Sequence, residues 1–396
     1  MNFAPPNTAR EDRSTVTRFD PQATLADVDP RIPVRLLTGP RGSGKTSVIR
    51  HLMCRPEGRL RAHIVPDRGA FDPLPPETSR PDGRTAVLEN GSVCFRMHEC
   101  DVIEALSHLH LRRMGLVGAA LPYDEVIIEI AADAAPLAAL YQLLTDSRLA
   151  LTYRFDAIIT VVDAAAARGF LGKDSPLTPF VARSDIVILN KSDLVSNDDC
   201  GAVISDLAGT NPFAPVHVAR HGAVSAFSVM EWNPLGREEA AYGREIALDK
   251  GAVELTPLDI NGPARRAIKC LVNNSLSDPR SNAESGRMPI RAAHVTLEGS
   301  ADIFRIARTV AKIAERCGSD LYRLKCITAN PKTDHPVVFQ YIDGAFIPPS
   351  WGEPDGTKET RATVVGRGFK PREIMAEFAA CFWDSEAIAR GAYAPF

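Results

Sequence analysis

The 396-residue sequence predicts an α/β protein: a P-loop NTPase domain with a parallel sheet, followed by a smaller α+β C-terminal domain. Three observations predict this class. A glycine-rich octapeptide, Gly39 to Thr46, follows an apolar run and precedes a helical pattern. Apolar runs then alternate with helical stretches as far as residue 222, which is typical of a parallel sheet covered on both faces. After residue 287, strands outnumber helices, which favours a helix-covered antiparallel sheet.

The octapeptide reads GPRGSGKT, and its position between a strand and a helix is the context that a phosphate-binding P-loop requires. Backbone N–H groups of such a loop surround an anion, and the helix start adds the positive end of its dipole. We expect Lys45 to contact the β- and γ-phosphates and the Thr46 hydroxyl to bind Mg²⁺. The predicted nucleotide contacts of this segment are Gly39, Gly42, Ser43, Gly44, Lys45, Thr46 and Ser47.

The elements of the first domain, predicted as residues 32–222, follow from apolar runs bounded by turn-forming residues. Residues 1–31 lack apolar periodicity, so we expect a flexible arm there. The predicted strands are 34–37, 62–65, 125–130, 157–162, 186–189 and 216–218, with a further short apolar run at 85–88, and the predicted helices are 47–53, 99–113 and 136–144.

The second domain is predicted as residues 287–385. Between the two domains, residues 223–286 are rich in Gly, Pro, Asn and Ser, and we expect a connector there. The predicted strands of the second domain are 292–297, 321–328, 337–342 and 362–365, and its predicted helices run from 303 to a stop at Gly318 and from 371 to 382.

The tetrapeptide Asn190-Lys191-Ser192-Asp193 directly follows the apolar run 186–189, at the sheet edge where ligands of parallel sheets bind. The Asp193 carboxylate can accept hydrogen bonds from N1–H and N2–H₂ of guanine, a donor pair that adenine lacks. Asn190 can link the base edge to the P-loop, and the methylene stem of Lys191 can cover the base. These residue types also suit a simple surface turn. Their place after a buried strand and a P-loop favours a guanine site.

Composition argues against several classes of function. The formal net charge of −3 gives no electrostatic reason to expect a nucleic-acid partner. No apolar run approaches the length of a membrane span, and the N-terminal stretch lacks the apolar core of a secretory signal. Eight cysteines in a chain of this length do not indicate a disulfide framework. We therefore expect a cytoplasmic protein with neither a membrane nor a nucleic-acid partner.

With both nucleotide motifs placed, the chain resembles the CobW-like GTPases, relatives of the UreG and HypB nickel-insertion GTPases, from about residue 32 to 370. The resemblance implies binding of GTP or GDP with Mg²⁺, slow hydrolysis, and delivery of a metal ion such as zinc or cobalt to a client protein that the sequence does not identify. The segments that carry the likeness are GPRGSGKTS, LENG at 88–91, VIIEI, VVDA at 161–164, ILNKSDLV, NPFAPVHVARHG at 211–222, IRAAHVTL, DLYRLKCI, PVVFQYIDGAF and VVGRG.

The resemblance is incomplete at the family's metal motif. The family carries Cys-x-Cys-Cys directly after Glu-Asn-Gly, and here that place reads SVCF, which retains only the middle cysteine, Cys94. One thiolate cannot hold Zn²⁺ in a tetrahedral site. Cys94, His98 and Cys100 fall within seven residues and form a candidate replacement set for Zn²⁺ or Co²⁺. Ordinary thiols and a solvated histidine are the alternative.

Two further departures concern hydrolysis. Where the family has Glu-Thr-Ser-Gly, this chain has EIAA from Glu129 to Ala132, so the switch and the orientation of the attacking water are expected to differ. Glu129 remains to act on Mg²⁺ or its waters, and the predicted catalytic residues are Lys45, Thr46 and Glu129. Arg41 in the P-loop either stabilises charge near the γ-phosphate or lies solvated at the loop rim.

Two functions from different classes therefore remain open. The first is a slow GTPase that acts as a metallochaperone-like switch, in zinc or cobalt homeostasis or in a cobalamin-related role. The second is a GTP-dependent binding or regulatory module that has lost metal binding and most hydrolysis. An ATP-dependent kinase is opposed by Asn190 and Asp193. Asp163 lies at the end of the apolar run 157–162. Either it faces the nucleotide site, or it only caps a helix or lies in solvent.

Overall fold

A computed structural model of the chain describes residues 29–54, 60–66, 85–87, 92–97, 101–130, 136–168, 175–225, 253–255, 268–274, 288, 290–298, 301–330, 335–352 and 359–382. These residues form two sheets, a mostly parallel one followed by an antiparallel one. The predicted fold class, a P-loop α/β domain followed by an α+β domain, is confirmed.

The first sheet has the strand order β3-β4-β2-β5-β1-β6-β7-β8 and is parallel except for the β3–β4 pair. Its central strands are buried on both faces because helices cover both, which is why they read as continuous apolar runs. The strands are β1 (Ile32–Thr38), β2 (Arg61–Pro66), β3 (Thr85–Val87), β4 (Val93–Met97), β5 (Glu125–Glu129), β6 (Tyr153–Asp163), β7 (Ile186–Asn190) and β8 (Val216–Val218).

Side-chain caps fix the start of several helices around this sheet. Asp101, Asp146, Asp163 and Ser196 each accept a hydrogen bond from a backbone N–H of the following helix. In the described residues, no helix has the length and apolar character needed to cross a bilayer. The helices are α1 (Lys45–Cys54), α2 (Val102–Arg113), α3 (Pro136–Thr145), α4 (Ser147–Thr152), α5 (Ala164–Ala167), α6 (Thr178–Arg183) and α7 (Asn197–Thr210).

The second sheet has the order β14-β13-β12-β15-β11-β10-β9 and is antiparallel throughout. Its core lies between one sheet face and two helices, where Ile306, Val310 and Ile313 form an apolar stripe on the first helix. The elements are β9 (Val253–Leu255), β10 (Ile268–Asn274), β11 (Arg291–Glu298), α8 (Ile303–Cys317), β12 (Leu321–Thr328), β13 (Val337–Ile342), β14 (Ala345–Trp351), β15 (Glu359–Gly366) and α9 (Pro371–Ala379).

The structure corrects several sequence-based boundaries. The stretch 223–286, expected to be a connector, contributes β9 and β10 to the second sheet, although its composition is that of a loop. β14 is not among the predicted strands, because its sequence, AFIPPSW, contains two prolines. It lies at the edge of the sheet, where a strand tolerates proline better than at the centre. β4 was missed as well. α1 starts at Lys45, two residues earlier than predicted, because Val48 N–H donates to the Gly44 carbonyl (3.0 Å).

Buried charges line the edge of the first sheet at which the strands begin. Glu125 pairs with Arg61 and with Arg35, whose Nη1 lies 3.4 Å from its carboxylate. Arg35 Nε also donates to Asp156 (2.7 Å), which Arg154 contacts from the other side (3.1 Å). Burial acts to raise the pKa of Asp156, but Arg35 and Arg154 outweigh it, so this pKa lies below its usual range. Arg35 interrupts the apolar run of β1, and these two ion pairs explain why a charged residue is tolerated there.

The same edge contacts the second sheet through Asp185, which precedes β7. Its Oδ1 accepts hydrogen bonds from Arg323 Nη2 (2.7 Å) and Lys325 Nζ (3.3 Å) of β12. Its Oδ2 accepts one from the Ile158 backbone N–H (2.9 Å). Burial would raise the pKa of Asp185, and the two cations and this hydrogen bond lower it instead. Apolar packing of Ile342 and Ile347 against the core of the first domain completes the contact between the two sheets.

Candidate functional site

The opposite edge, where the parallel strands end, brings together the residues of the predicted nucleotide site. β1 leads into the P-loop, β5 ends at Glu129, and β7 ends at Asn190. These strands are close in the sheet because β1 lies between β5 and β6, and β6 pairs with β7. Segments that are distant in sequence therefore meet at one crevice, as expected for ligand sites of open parallel sheets.

The P-loop wraps around the ammonium group of Lys45. This side chain is buried, and its Nζ donates to the carbonyl oxygens of Gly39 (2.8 Å) and Pro40 (3.0 Å). Ser43 is buried too, and its Oγ has no hydrogen-bond partner in the described part of the chain. The loop thus holds a positive charge and an unsatisfied hydroxyl in a backbone cradle. Such an arrangement suits a phosphate group, which would satisfy both.

Thr46 and Glu129 face each other across the start of α1 and the end of β5. The Thr46 hydroxyl lies 3.3 Å from both carboxylate oxygens of Glu129, and Glu129 is buried. A hydroxyl and a carboxylate are hard oxygen donors, the type that Mg²⁺ prefers. The donor set therefore fits the predicted magnesium ion. Ser47 is exposed on the next position of α1.

Asn190 joins the predicted base-binding turn to the P-loop. Its side chain is buried, its Nδ2 donates to the Ser43 carbonyl (3.0 Å), and its Oδ1 accepts from Gly222 N–H (2.9 Å). A Cβ atom on Gly44, whose φ is 96°, would lie 2.2 Å from Asn190 Nδ2. Glycine at this position is therefore required for the P-loop to approach the turn so closely.

Lys191 and Asp193 complete the turn. Lys191 has a left-handed backbone (φ 60°), and its Nζ lies 2.6 Å from Asp163 Oδ2. The carboxylate of Asp193 is partly exposed, and His221 Nε2 approaches it to 3.7 Å. The structure thus brings together every P-loop residue singled out in the sequence with Asn190, Lys191, Asp193 and Glu129.

Two features of this site were not assigned from the sequence. Asp163 both caps α5 and pairs with Lys191, and its position at the end of a buried strand was the available signal. The loop Ala219–Gly222 supports the turn, since the Ala219 carbonyl accepts from Ser192 N–H (3.2 Å) and Oγ–H (3.0 Å). Arg41 is exposed on the P-loop, and its two possible roles stay predictions.

Of the candidate metal set, only Cys94 lies within the described residues. Cys94 is 1% exposed and packs among apolar side chains between α1 and the sheet. Phe95 points to the opposite face of β4, where its ring lies 4.9 Å from that of His108. His98 and Cys100 fall outside the described residues, as do Ala131 and Ala132. No group of three metal-binding side chains occurs among the residues that the structure describes.

Two family models match the chain. The CobW/HypB/UreG nucleotide-binding domain matches residues 33–218, and the cobalamin synthesis protein CobW C-terminal domain matches residues 290–382. The first match contains the P-loop, Glu129 and the Asn190–Asp193 turn. The second contains most of the antiparallel sheet.

Three curated proteins are similar in sequence. Zinc-regulated GTPase metalloprotein activator 1 of Schizosaccharomyces pombe is 27% identical over 58% of this chain and 55% of its own length. Zinc chaperone CobW of Pseudomonas aeruginosa is 30% identical over 49% of this chain and 56% of its own length. The chain thus spans about half the length of these two relatives. Zinc chaperone YjiA of Escherichia coli is 22% identical over 88% of this chain and 98% of its own length.

A solved structure shares the fold. The crystal structure of Zn(II)-bound YjiA GTPase from E. coli superposes with a TM-score of 0.55 at 21% sequence identity, covering 89% of this chain and 99% of that chain. At that identity the likeness extends to the two-domain fold alone.

Proposed function

The chain belongs to the CobW family of P-loop proteins, and from this premise we propose that it binds GTP and GDP with Mg²⁺, hydrolyses GTP slowly, and acts as a metallochaperone-like switch. The observation that carries the nucleotide part is the position of the Asn190 amide, which bonds to the P-loop on one side and to Gly222 on the other. This bridge connects the turn that carries Asp193 to the phosphate cradle.

In the proposed mechanism the chain contributes positioning and electrostatics. The Lys45 ammonium would exchange its bonds to Gly39 and Pro40 for contacts with phosphate oxygens. The Thr46 hydroxyl and Glu129 would hold Mg²⁺ directly or through its waters. When bound, Mg²⁺ offsets negative charge on the phosphates. Asp193 would accept the two guanine N–H groups, and Lys191 would cover the base.

Slow hydrolysis is proposed from the residues that follow Glu129. The segment Ile130 to Ala132 carries no hydroxyl or amide side chain that could orient an attacking water. Positioning of that water is a large part of catalysis in phosphoryl transfer, so little acceleration is expected without a partner.

Metal delivery is the second half of the proposal. The names of the curated relatives are those of zinc chaperones and a zinc-regulated activator, which supports zinc, with cobalt as the alternative, and an unidentified client protein as acceptor. Cys94, His98 and Cys100 are the proposed ligands for this cargo.

A second candidate, a GTP-dependent binding module that does not handle metal, is favoured by one observation. Cys94 lies in an apolar core cluster, and the Phe95 ring occupies the other face of the strand. A thiol in such a place would have to leave the core to bind a metal ion.

Calorimetry on the Mg²⁺-loaded protein tests the nucleotide assignment. GDP and GTP should bind at least about 100-fold more tightly than ADP and ATP, since an adenine base would shield the Asp193 carboxylate from water without donating a hydrogen bond to it. Asp193→Asn should weaken GDP binding and improve that of xanthosine diphosphate, because an amide N–H suits the 2-carbonyl group. Asp198→Asn, an exposed acid on α7, is the matched control. Equal affinity for guanine and adenine nucleotides would refute the assignment.

Zinc content and GTP turnover separate the two candidates. A metallochaperone should bind Zn²⁺ or Co²⁺ with Cys94, change its turnover when metal is added, and lose both properties in Cys94→Ser. Cys200→Ser, a partly exposed thiol on α7, is the control. Tight GTP binding with neither metal nor turnover would support the binding module.

A further inference from the structure

Asp163 is a charged residue at the nucleotide edge to which the proposed mechanism assigns no role. We propose that Asp163 is a positioning residue of the guanine site: it fixes the side chain of Lys191, so that the lysine stem forms a rigid wall for the base. The inference rests on the proposed function, because it concerns the same site.

The geometry places Asp163 beside the base-binding turn. It is the last residue of β6 and lies in register with Asn190, the last residue of β7. Its Oδ2 lies 2.6 Å from Lys191 Nζ, and the two side chains are 18% and 32% exposed. A short, partly shielded ion pair is worth more than a fully exposed one.

The carboxylate is held from its other side as well. Asp163 Oδ1 accepts hydrogen bonds from the backbone N–H groups of Ala165 (2.9 Å) and Ala166 (3.3 Å). Because both of its oxygens are bound, the carboxylate has a defined orientation. The position of the Lys191 ammonium, which is bound to Oδ2, is therefore defined as well.

Both ends of the Lys191 side chain are thereby fixed. At the backbone end, Lys191 takes a left-handed conformation between Asn190 and Ser192, each of which is tied down by hydrogen bonds. At the ammonium end it is held by Asp163. A free lysine side chain loses considerable rotamer entropy when it packs on a ligand, and fixing it beforehand removes part of that cost from binding.

The competing explanation is that Asp163 serves only as the N-cap of α5. Asp163→Asn separates the two roles, because an asparagine side chain still accepts the capping hydrogen bonds but cannot neutralise the lysine. Asp146 provides a matched control: its Oδ1 caps α4 through Arg148 and Leu149 N–H groups, and its Oδ2 pairs with the Arg148 side chain.

The experiment is a double-mutant cycle on the Mg²⁺-loaded protein, with GDP and inosine diphosphate as probes in calorimetry. Asp163→Asn should weaken GDP binding about three- to tenfold, the cost of one immobilised side chain. Inosine diphosphate should lose the same factor, because it presents the same ring face without the 2-amino group. In a Lys191→Met background, Asp163→Asn should cause no further loss. Asp146→Asn should leave both affinities unchanged.

Two results would overturn the inference: unchanged nucleotide affinity in Asp163→Asn, or an equal loss with and without the lysine. If Asp163→Asn fails to fold, as judged by its thermal transition, Asp163→Ser keeps a capping oxygen and replaces it in the cycle. If the unmodified protein does not bind GDP, the proposed function fails. If it binds GDP and the cycle shows no coupling, only the role of Asp163 fails.

Discussion

β5 carries a glutamate at each end, and the two are equally buried, yet their surroundings differ. Glu125, at the start of the strand, is paired with Arg35 and Arg61. Glu129, at its end, contacts the hydroxyl of Thr46. β6 and β7 also differ from end to end: Asp156 and Asp185 pair with buried cations at one edge, whereas at the other Asp163 pairs with the partly exposed Lys191 and Asn190 bonds to the P-loop. One edge of the sheet thus holds buried ion pairs within the protein, and the other holds the groups that the proposed function assigns to the nucleotide.

The largest expected effect separates the two glutamates. Glu125→Gln should lower the free energy of unfolding by about 3–5 kcal/mol, because it removes the carboxylate that pairs with the buried Arg61 guanidinium and shares Arg35 with Asp156. Glu129→Gln should change it by less than about 1 kcal/mol, since glutamine can accept the same hydrogen bond from Thr46. It should instead reduce Mg²⁺-dependent GTP turnover about 10- to 100-fold. Denaturant unfolding without nucleotide and a turnover assay measure the two quantities.

Similar losses of stability in both variants would contradict the division between the edges. Asp198→Asn again serves as the control for a change of charge alone, because Asp198 is exposed on α7.

The two edges also differ in how far the sequence predicted them. At the edge where the strands end, the P-loop and the Asn190–Asp193 turn could be predicted because they are short local patterns, GPRGSGKT and NKSD, that each follow an apolar run. The ion pairs at the edge where the strands begin could not be predicted, because they join distant segments: Arg323 lies 138 residues from Asp185. From the sequence, Arg35 is only an interruption in an apolar strand. β14 contains two prolines, and its position at the edge of the sheet, which explains them, is not visible in the sequence.

A second prediction concerns the stability of the folded protein at acidic pH, which is expected to depend on His63. This histidine lies on β2, two residues after Arg61, and neither ring nitrogen has a hydrogen-bond partner among the described residues. Burial, with a contribution from Arg61, lowers the pKa of His63 from 6.5 to about 3. The unfolded chain therefore binds a proton below pH 6.5 that the folded chain excludes. The contribution of His63 to the free energy of unfolding is therefore complete above pH 6.5 and falls by about 1.4 kcal/mol per pH unit below it, or about 2 kcal/mol at pH 5.

The buried ion pairs of Asp156 and Asp185 lose their contribution to stability in a lower pH range. The pKa values of Asp156 and Asp185 are lowered, so their contribution persists until the pH falls below the ordinary aspartate value of about 4. His63→Leu should therefore flatten the stability profile between pH 6.5 and 4 and leave the loss below pH 4. Unfolding curves across this range test it, with exposed His221→Gln as the control. A profile that His63→Leu does not change would show that the imidazole is protonated in the folded protein.

A small effect on stability is expected at the P-loop itself. Gly42 is exposed, has a φ of 79°, and an added Cβ atom would meet no atom within 4 Å. Gly42→Ala should therefore cost only the backbone strain of about 1 kcal/mol in the nucleotide-free protein. Gly115→Ala, at an exposed turn with a φ of 68°, should cost a similar amount. GTP affinity should separate the two variants. In the proposed complex the phosphates lie against this loop, so a methyl group on Gly42 should weaken GTP binding at least about tenfold, while Gly115→Ala leaves it unchanged. Equal GTP affinities in the two variants would mean that the phosphates do not lie against this part of the loop, and the contrast between the two edges would then rest on Glu129 and the Asn190–Asp193 turn alone.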